Sequence, residues 1–148
     1  KLKNVTLWLM GEGQERQNLS KLASELGVEN RVKFLGWVEE PIHYIKASDA
    51  FVMPSRHEPL GNALLEAWQA KVPTVSTKSE GPTWYMRDKI DGILTEIDDV
   101  EQMALALKKL IKDKDLSSYF YEYDMHLNRF GNVELSKHLK SFLYKSDF

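Results

Sequence analysis

The feature that most constrains the fold of this chain is the alternation of short apolar runs with segments whose apolar residues have helical spacing. Val5 to Met10 is an apolar run of strand length that ends at Gly11, as expected for a parallel strand covered on both faces. The segment after it, from about Gln14, predicts a helix that ends at Gly27. Such alternation is typical of a parallel sheet with helices on both faces.

The rest of the chain continues the pattern. Further strands are predicted at Arg31 to Leu35, Ala50 to Met53, Pro73 to Ser76 and Gly92 to Leu94. Helices are predicted at Pro41 to Ala47, from about Pro59, at Pro82 to Arg87, from a cap at Asp98 or Asp99 to about Lys112, and twice more between Asp115 and the end. We therefore expect the α/β class, with a Rossmann-like parallel sheet.

The apolar stripe of the first long helix is predicted to face the core, and it comprises Leu19, Leu22, Ala23 and Leu26. The 148 residues fit one domain, and 43% hydrophobic with 28% charged residues is ordinary for a globular protein.

Composition excludes several classes of function. The net charge of −2 provides no basic surface for nucleic acid, so nucleic acid is not an expected partner. The absence of cysteine agrees with a reducing cytoplasm and excludes a cysteine metal site. The four histidines have no metal-ligand spacing, so no metal is expected. No apolar run approaches the length of a membrane helix.

The stretch from Ser55 to Gln69 carries the strongest functional signal. Pro59 suits a first helical position, so Glu58 lies at the mouth of the predicted helix and Gly61 within its first turn. Unpaired N–H groups there form a potential anion site. Glu66 lies roughly 7 Å beyond the Gly61 amide along the helix, which is about a diphosphate-to-ribose distance. Glu66 and Asn62 share one helix face.

These residues resemble the Glu-x7-Glu motif of the retaining glycosyltransferases of family 4, which have the GT-B fold. Flanking segments strengthen the resemblance in order and spacing: LWLMGEGQE (Leu7 to Glu15), VKFLGWV (Val32 to Val38), KVPTVST (Lys71 to Thr77), SEGPTWYMRD (Ser79 to Asp88) and DGILTE (Asp91 to Glu96). Along roughly residues 4 to 113 the chain is similar to the second, nucleotide-sugar-binding domain of that family.

The resemblance implies roles for the residues of the motif. Glu58 would lie near the donor sugar and support its developing positive charge, so it is the candidate catalytic residue. Glu66 would accept hydrogen bonds from the ribose hydroxyls. The backbone N–H groups of Leu60, Gly61 and Asn62 would meet the sugar and the phosphate.

Other loops at the carboxyl ends of the predicted strands would complete the site. By resemblance, the Gly36-Trp37-Val38 segment contacts the base, with Trp37 or Val38 on the base face, and Gly11 and Gly13 form a wall of the nucleotide pocket. Without the resemblance, Gly11-Glu12-Gly13 is interpreted as a tight turn, whereas Gly36 and Trp37 are equally well a strand-ending glycine with an aromatic residue packed on the core.

Four more residues are candidates for lining the cleft, namely Arg56, His57, Glu80 and Gly81. His57 is expected to line the cleft rather than transfer a proton. The segment that begins at Glu80 and Gly81 is either a turn that starts a short helix or a wall of the donor or acceptor pocket.

The resemblance also implies a domain organisation. Residues 1–148 would form the donor-binding domain without its first strand, and an N-terminal acceptor domain would lie outside the chain. The donor would be a UDP- or GDP-sugar and the acceptor a glycan or lipid-linked acceptor, in the synthesis of cell-surface polysaccharide or lipopolysaccharide. No cofactor is expected, because the nucleotide sugar is itself a substrate.

The full-length protein is expected in the cytoplasm, with peripheral association at the inner face of the membrane as a further option. The isolated chain is expected to transfer no sugar. Two alternatives stay open: a GT-B-fold sugar-nucleotide epimerase, and a non-catalytic module that binds a nucleotide or a partner protein.

Overall fold

The computed structural model describes residues 5–112, which divide into two compact units between Tyr44 and Ile45. The first unit contains strand β1 (Leu7–Met10), helix α1 (Arg16–Glu25), a single 3₁₀ turn (Glu29–Arg31) and strand β2 (Val32–Gly36). The boundary between the two units lies within helix α2 (Pro41–Lys46). The second unit contains β3 (Phe51–Met53), α3 (Asn62–Gln69), β4 (Thr74–Thr77), α4 (Glu80–Tyr85), β5 (Ile93–Thr95) and α5 (Val100–Lys112).

In the first unit, β1 and β2 form a parallel pair, with Leu7 opposite Val32 and Leu9 opposite Phe34. The register shifts between Leu9 and Met10, so that Met10 lies opposite Gly36. Helix α1 ends at a left-handed Gly27 (φ 64°), which its sequence pattern predicts.

The second unit is a three-stranded parallel sheet in the order β3-β4-β5. One face is covered by α3, whose Leu64 packs in a cluster with Met53, Met86 and Leu94. The other face is covered by α5 through Ala106 and Leu110, which pack with Val75 of β4. Because alternate side chains of a strand point to opposite faces, this sheet lies between two helices.

The predicted α/β class with parallel strands and helices on both faces is confirmed. The cap predicted for α5 is Asp99 rather than Asp98, since an Asp99 carboxylate oxygen accepts the Gln102 N–H at 2.8 Å. The predictions for residues 115–148 lie outside the described residues.

Three predictions were wrong in detail: the start of α3, the coverage of β1 and the burial of the apolar stripe of α1. Helix α3 begins at Asn62 instead of Pro59, because Gly61 adopts a left-handed conformation (φ 79°) that cannot lie inside a helix. Strand β1 is not covered on both faces, since Leu7 and Trp8 are exposed.

The apolar stripe of α1 is largely exposed as well. Only Ala23 is buried, whereas Leu19, Leu22 and Leu26 are 43%, 48% and 59% exposed. Within the described residues, the sheet of this unit has two strands, and so narrow a surface cannot cover a whole helix face.

Candidate functional site

The loop between β3 and α3, residues 54 to 61, leaves the sheet at the carboxyl end of β3. The Thr77 hydroxyl, at the end of the neighbouring strand β4, donates a hydrogen bond to the backbone oxygen of Ser55. This hydrogen bond attaches the beginning of the loop to the end of β4. In open α/β sheets this edge is where ligands bind.

Glu58 turns its carboxylate toward the start of α3. Its Oε1 accepts the Gly61 N–H at 2.9 Å, which satisfies a donor at the helix N-terminus. The predicted anion site therefore has one of its three amides occupied by a side chain of the same loop, while no partner of the Leu60 and Asn62 amides lies among the described residues. The second carboxylate oxygen of Glu58 accepts no hydrogen bond from any residue between 5 and 112.

Gly61 is tightly enclosed. A Cβ atom built on it would lie 2.6 Å from the Tyr85 hydroxyl oxygen and 3.2 Å from the Met53 Cε. The left-handed φ and the lack of space both require glycine here.

Glu66 is the fifth residue of α3 and is half-buried. Within residues 5–112, its carboxylate has no hydrogen-bond or ion-pair partner. Asn62, four residues earlier and exposed, lies on the same side of the helix. A half-buried carboxylate with unused acceptors is suited to bind hydroxyl groups.

Residues of helix α4 make hydrogen bonds to the loop as well. The Glu80 carboxylate accepts the Glu58 backbone N–H at 3.0 Å through Oε2 and lies 3.1 Å from His57 Nδ1 through Oε1. The Gly81 N–H donates to the Glu58 carbonyl oxygen at 2.8 Å, and the Tyr85 hydroxyl donates to the Leu60 carbonyl oxygen at 2.7 Å.

The contacts of Glu80 shift its pKa. Hydrogen bonds from the Glu58 amide, from its own backbone N–H and from His57 lower the pKa of Glu80 to about 2. Burial, and then the nearby Glu58 carboxylate, raise the pKa of the Tyr85 hydroxyl, which keeps its proton for Leu60. The segment starts the short helix α4, as one of the two interpretations expects, and its role as a wall of the donor or acceptor pocket stays a prediction.

Arg56 and His57 were predicted to line the cleft. The His57 ring is exposed and contacts Glu80, whereas the Arg56 guanidinium pairs with the Asp98 carboxylate at 2.8 and 3.1 Å. Lys78 and Glu96 form a second exposed ion pair between the loops that follow β4 and β5. The structure thus brings His57, Glu58 and Glu80 together, and Arg56 pairs with another loop.

In the first unit, the structure brings Gly11 and Gly36 together. The Gly11 N–H donates to the Gly36 carbonyl oxygen at 2.7 Å, and both glycines have left-handed φ values, 108° and 70°. Gly13 follows, and its carbonyl oxygen accepts the Arg16 N–H at the start of α1. The two predicted loops of the nucleotide pocket are therefore joined at their first residues.

Trp37, next to Gly36, is 80% exposed, and Val38 is half-buried. They border an open groove of about 510 Å³. The groove is lined by Leu35, Trp37, Val38, Glu39, Glu40, His43 and Tyr44. An indole this exposed is available to stack on a planar ligand.

Two residues that contact the loop, Thr77 and Tyr85, and a buried carboxylate elsewhere in the unit, Asp91, were not singled out from the sequence. The Asp91 carboxylate is fully buried and accepts the Arg87 backbone N–H at 2.8 Å and its guanidinium N–H groups. From the sequence only the Asp91-Gly92 turn was recognised, because Arg87 and Asp91 lie outside any helix and their spacing carries no signal.

No group of three histidine or acidic side chains within residues 5–112 could hold a metal ion. No helix in the same range has the length and apolar character that crossing a membrane requires.

Comparison with known proteins identifies the family. Residues 1–126 match the model of the glycosyl transferases group 1, and the chain belongs to that family. It is 48% identical over 122 residues to the lipopolysaccharide core biosynthesis glycosyltransferase LpsE of Rhizobium meliloti, covering 82% of this chain and 36% of LpsE. It is 41% identical over 115 residues to LpsD of the same organism, covering 78% of this chain and 34% of LpsD.

Among solved structures, the chain resembles Anabaena HepE in complex with UDP, with a TM-score of 0.79 and 26% identity, over 95% of this chain and 41% of HepE. HepE has also been solved with UDP-glucose. The predicted resemblance to glycosyltransferases and their GT-B fold is confirmed. These comparisons do not favour the epimerase or the non-catalytic module. The chain spans about a third of the length of the curated relatives it matches.

Proposed function

We propose that this chain is the donor-binding domain of a longer, retaining glycosyltransferase. The enzyme takes a sugar from a UDP- or GDP-sugar and transfers it to a glycan or lipid-linked acceptor in the synthesis of cell-surface polysaccharide or lipopolysaccharide. The names of LpsE and LpsD support this acceptor class, and the UDP and UDP-glucose complexes of HepE support the donor class.

The observation that carries the proposal is the arrangement of two glutamates around the N-terminus of α3. Glu58 lies at the mouth of the helix with one carboxylate oxygen on the Gly61 amide and the other without a partner among residues 5–112. Glu66 lies one turn inside the helix, half-buried and unpaired within the same range. One carboxylate at the helix mouth and one a turn inside the helix suit the two hydroxyl-rich ends of a nucleotide sugar, with the diphosphate between them at the helix N-terminus.

In this proposal each residue has one role. Glu66 accepts hydrogen bonds from the ribose hydroxyls, and the unpaired oxygen of Glu58 accepts one from a hydroxyl of the donor sugar. The amides of Leu60 and Asn62 bind the diphosphate.

The proposed base site consists of the loops that follow β1 and β2. The exposed Trp37, with Gly36 and Val38, contacts the base, and the backbone at Gly11 and Gly13 forms the wall of the pocket.

The transfer step needs no covalent intermediate. The acceptor oxygen bonds to the anomeric carbon on the face from which the diphosphate departs, as the bond from that carbon to the diphosphate oxygen breaks. The acceptor proton passes to the leaving diphosphate oxygen. Glu58 stabilises the positive charge that develops on the sugar, so the protein contributes positioning and electrostatics.

The acceptor would bind to a separate N-terminal domain of the longer protein. We propose a cytoplasmic enzyme that acts at the inner face of the membrane, since a lipid-linked acceptor is held there. No cofactor or metal takes part in this scheme.

Calorimetric titration of the full-length protein with UDP, GDP and ADP tests the donor site. We expect Glu66→Ala to weaken binding of the preferred nucleotide by roughly tenfold to a hundredfold, the effect of losing hydrogen bonds to a charged acceptor. Glu101→Ala, at an exposed glutamate in the first turn of α5, is the matched control and should bind as the unsubstituted protein does.

Glu58→Ala should lower the rate of sugar transfer more than it lowers nucleotide affinity. Equal binding by the Glu66→Ala and Glu101→Ala variants would refute the assignment of the ribose site. Failure of all three nucleotides to bind would refute the proposed function itself.

A further inference from the structure

Three of the hydrogen bonds that hold the loop of Glu58 come from α4, and all three are made to backbone groups of the loop. The Glu80 carboxylate accepts the Glu58 N–H, the Gly81 N–H donates to the Glu58 carbonyl oxygen, and the Tyr85 hydroxyl donates to the Leu60 carbonyl oxygen. We call these three residues, Glu80, Gly81 and Tyr85, the α4 clamp.

Both backbone polar groups of Glu58 are therefore bound by consecutive residues of α4. Its carboxylate is in turn bound by the Gly61 amide. With three hydrogen bonds on one residue, neither the backbone nor the side chain of Glu58 can rotate without losing a contact. A residue in this setting presents its remaining carboxylate oxygen in one direction.

The approach of α4 to the loop is close enough to exclude any larger residue. A Cβ atom built on Gly81 would lie 2.8 Å from the carbonyl oxygens of both Pro59 and Leu60. The Tyr85 hydroxyl also limits the space at Gly61, as described above. The clamp therefore contacts the loop at its middle and at its end.

We infer that Glu80 is a positioning residue for the transfer reaction, which acts by fixing the backbone of Glu58 and does not itself touch the donor. The inference rests on the proposed function for the role of Glu58, but the contact that it invokes is independent of any ligand. Both oxygens of the Glu80 carboxylate contact groups of the loop, while the side chain as a whole stays 57% exposed.

The charge of Glu80 suits this task. A glutamate is ionised at physiological pH, and the hydrogen bonds that lower the pKa of Glu80 extend this charged state to more acidic pH, so the Glu58 N–H has a charged acceptor. Glutamine at this position would keep one oxygen for the Glu58 N–H, whereas alanine would remove both acceptors.

Amide hydrogen exchange in the full chain tests the contact directly. We expect Glu80→Ala to accelerate exchange at the Glu58 and Gly61 amides by roughly tenfold, the ratio expected for losing one charge-assisted hydrogen bond. Glu80→Gln should restore most of the protection. Glu96→Ala removes an exposed carboxylate that pairs with Lys78 in a neighbouring loop, and it should leave both amides unchanged.

Kinetics of the full-length transferase test the positioning role. Glu80→Ala should lower kcat by about tenfold and leave the dissociation constant of the nucleotide diphosphate within twofold, because the ribose contact at Glu66 is intact. Adding Glu80→Ala to Glu58→Gln should cause no further loss, since residues that act through one another are not additive.

If the losses in kcat caused by Glu80→Ala and Glu58→Gln multiply in the double variant, Glu80 is not a positioning residue for Glu58. Unchanged exchange at Glu58 in Glu80→Ala, or equal acceleration in Glu96→Ala, would overturn the clamp. A full-length protein that binds no nucleotide would refute the proposed function, while the exchange experiment would still decide whether the clamp exists.

Discussion

Replacing Gly61 by alanine tests the local structure of the site most directly. Gly61 has a φ of 79°, and a Cβ atom there would lie 2.6 Å from the Tyr85 hydroxyl oxygen. The left-handed conformation costs a non-glycine residue about 1 to 2 kcal/mol. Moving the Tyr85 hydroxyl away breaks its hydrogen bond to Leu60, which is worth about 1 kcal/mol. Gly61→Ala should therefore lower the free energy of unfolding by about 2 to 3 kcal/mol.

Gly27 provides the matched control. It has a similar φ of 64°, but nothing lies within 4 Å of a Cβ atom built on it. Gly27→Ala should therefore show the cost of the backbone conformation alone, about 1 to 2 kcal/mol. Both variants gain the same small stabilisation from the loss of a flexible glycine in the unfolded chain, which cancels in the comparison.

Urea denaturation followed by circular dichroism measures both variants. A second comparison is made within one unit: in a Tyr85→Phe background the hydroxyl is absent, so the added cost of Gly61→Ala should fall toward that of Gly27→Ala. The reasoning fails if Gly61→Ala costs no more than Gly27→Ala, or if removal of the Tyr85 hydroxyl leaves the cost unchanged.

Three further predictions follow from individual contacts. Asp91→Ala should lower the free energy of unfolding by about 2 to 3 kcal/mol in urea denaturation, because it leaves the Arg87 backbone N–H without its acceptor; Asp49→Ala, at an exposed site, should cost less than about 0.5 kcal/mol. The pKa of Glu80 is lowered from 4.5 to about 2 in the folded chain, so its stabilising contribution is present above pH 4.5 and is lost as the pH falls toward 2. The difference in unfolding free energy between the unsubstituted chain and Glu80→Gln should shrink across that interval, and a carboxyl titration midpoint near 4.5 by NMR would contradict it. Trp37→Ala should weaken nucleotide binding by about 1 to 3 kcal/mol in calorimetry with little change in stability, since the indole is 80% exposed; an unchanged affinity would remove Trp37 from the base site.

The order of strands and helices could be predicted because it depends on the spacing of apolar residues, which is local. The same pattern identifies the inner side of α3, where Leu64 and Ala67 are buried. It does not reveal whether an apolar stripe is covered, and for this reason the exposure of Leu22 and Leu26 on α1 was not foreseen. Amphipathic spacing determines which side of a helix is apolar, whereas its burial depends on what lies opposite.

The start of α3 was misplaced for a different reason. Pro59 favours a first helical position, but Gly61 has a left-handed conformation and lies where a Cβ atom would meet the distant Tyr85 and Met53. The hydrogen bond between the Glu80 carboxylate and the Glu58 N–H joins residues that are 22 positions apart, so no local pattern contains it. Glu58 and Glu66 were found through a family resemblance; the residues that hold Glu58 in place required the structure.

The hydrogen bonds between α4 and the loop that carries Glu58 also affect which substitutions the loop can accept. The hydrogen bonds from α4 to the segment from Arg56 to Leu60 are made to peptide groups of that segment, so they do not depend on the exposed side chains at Arg56 and Pro59, although Arg56 adds its own ion pair to Asp98. Substitutions at these exposed positions leave the hydrogen bonds from α4 in place. Substitutions at these positions can therefore change the exposed surface of the loop at little cost in folding stability.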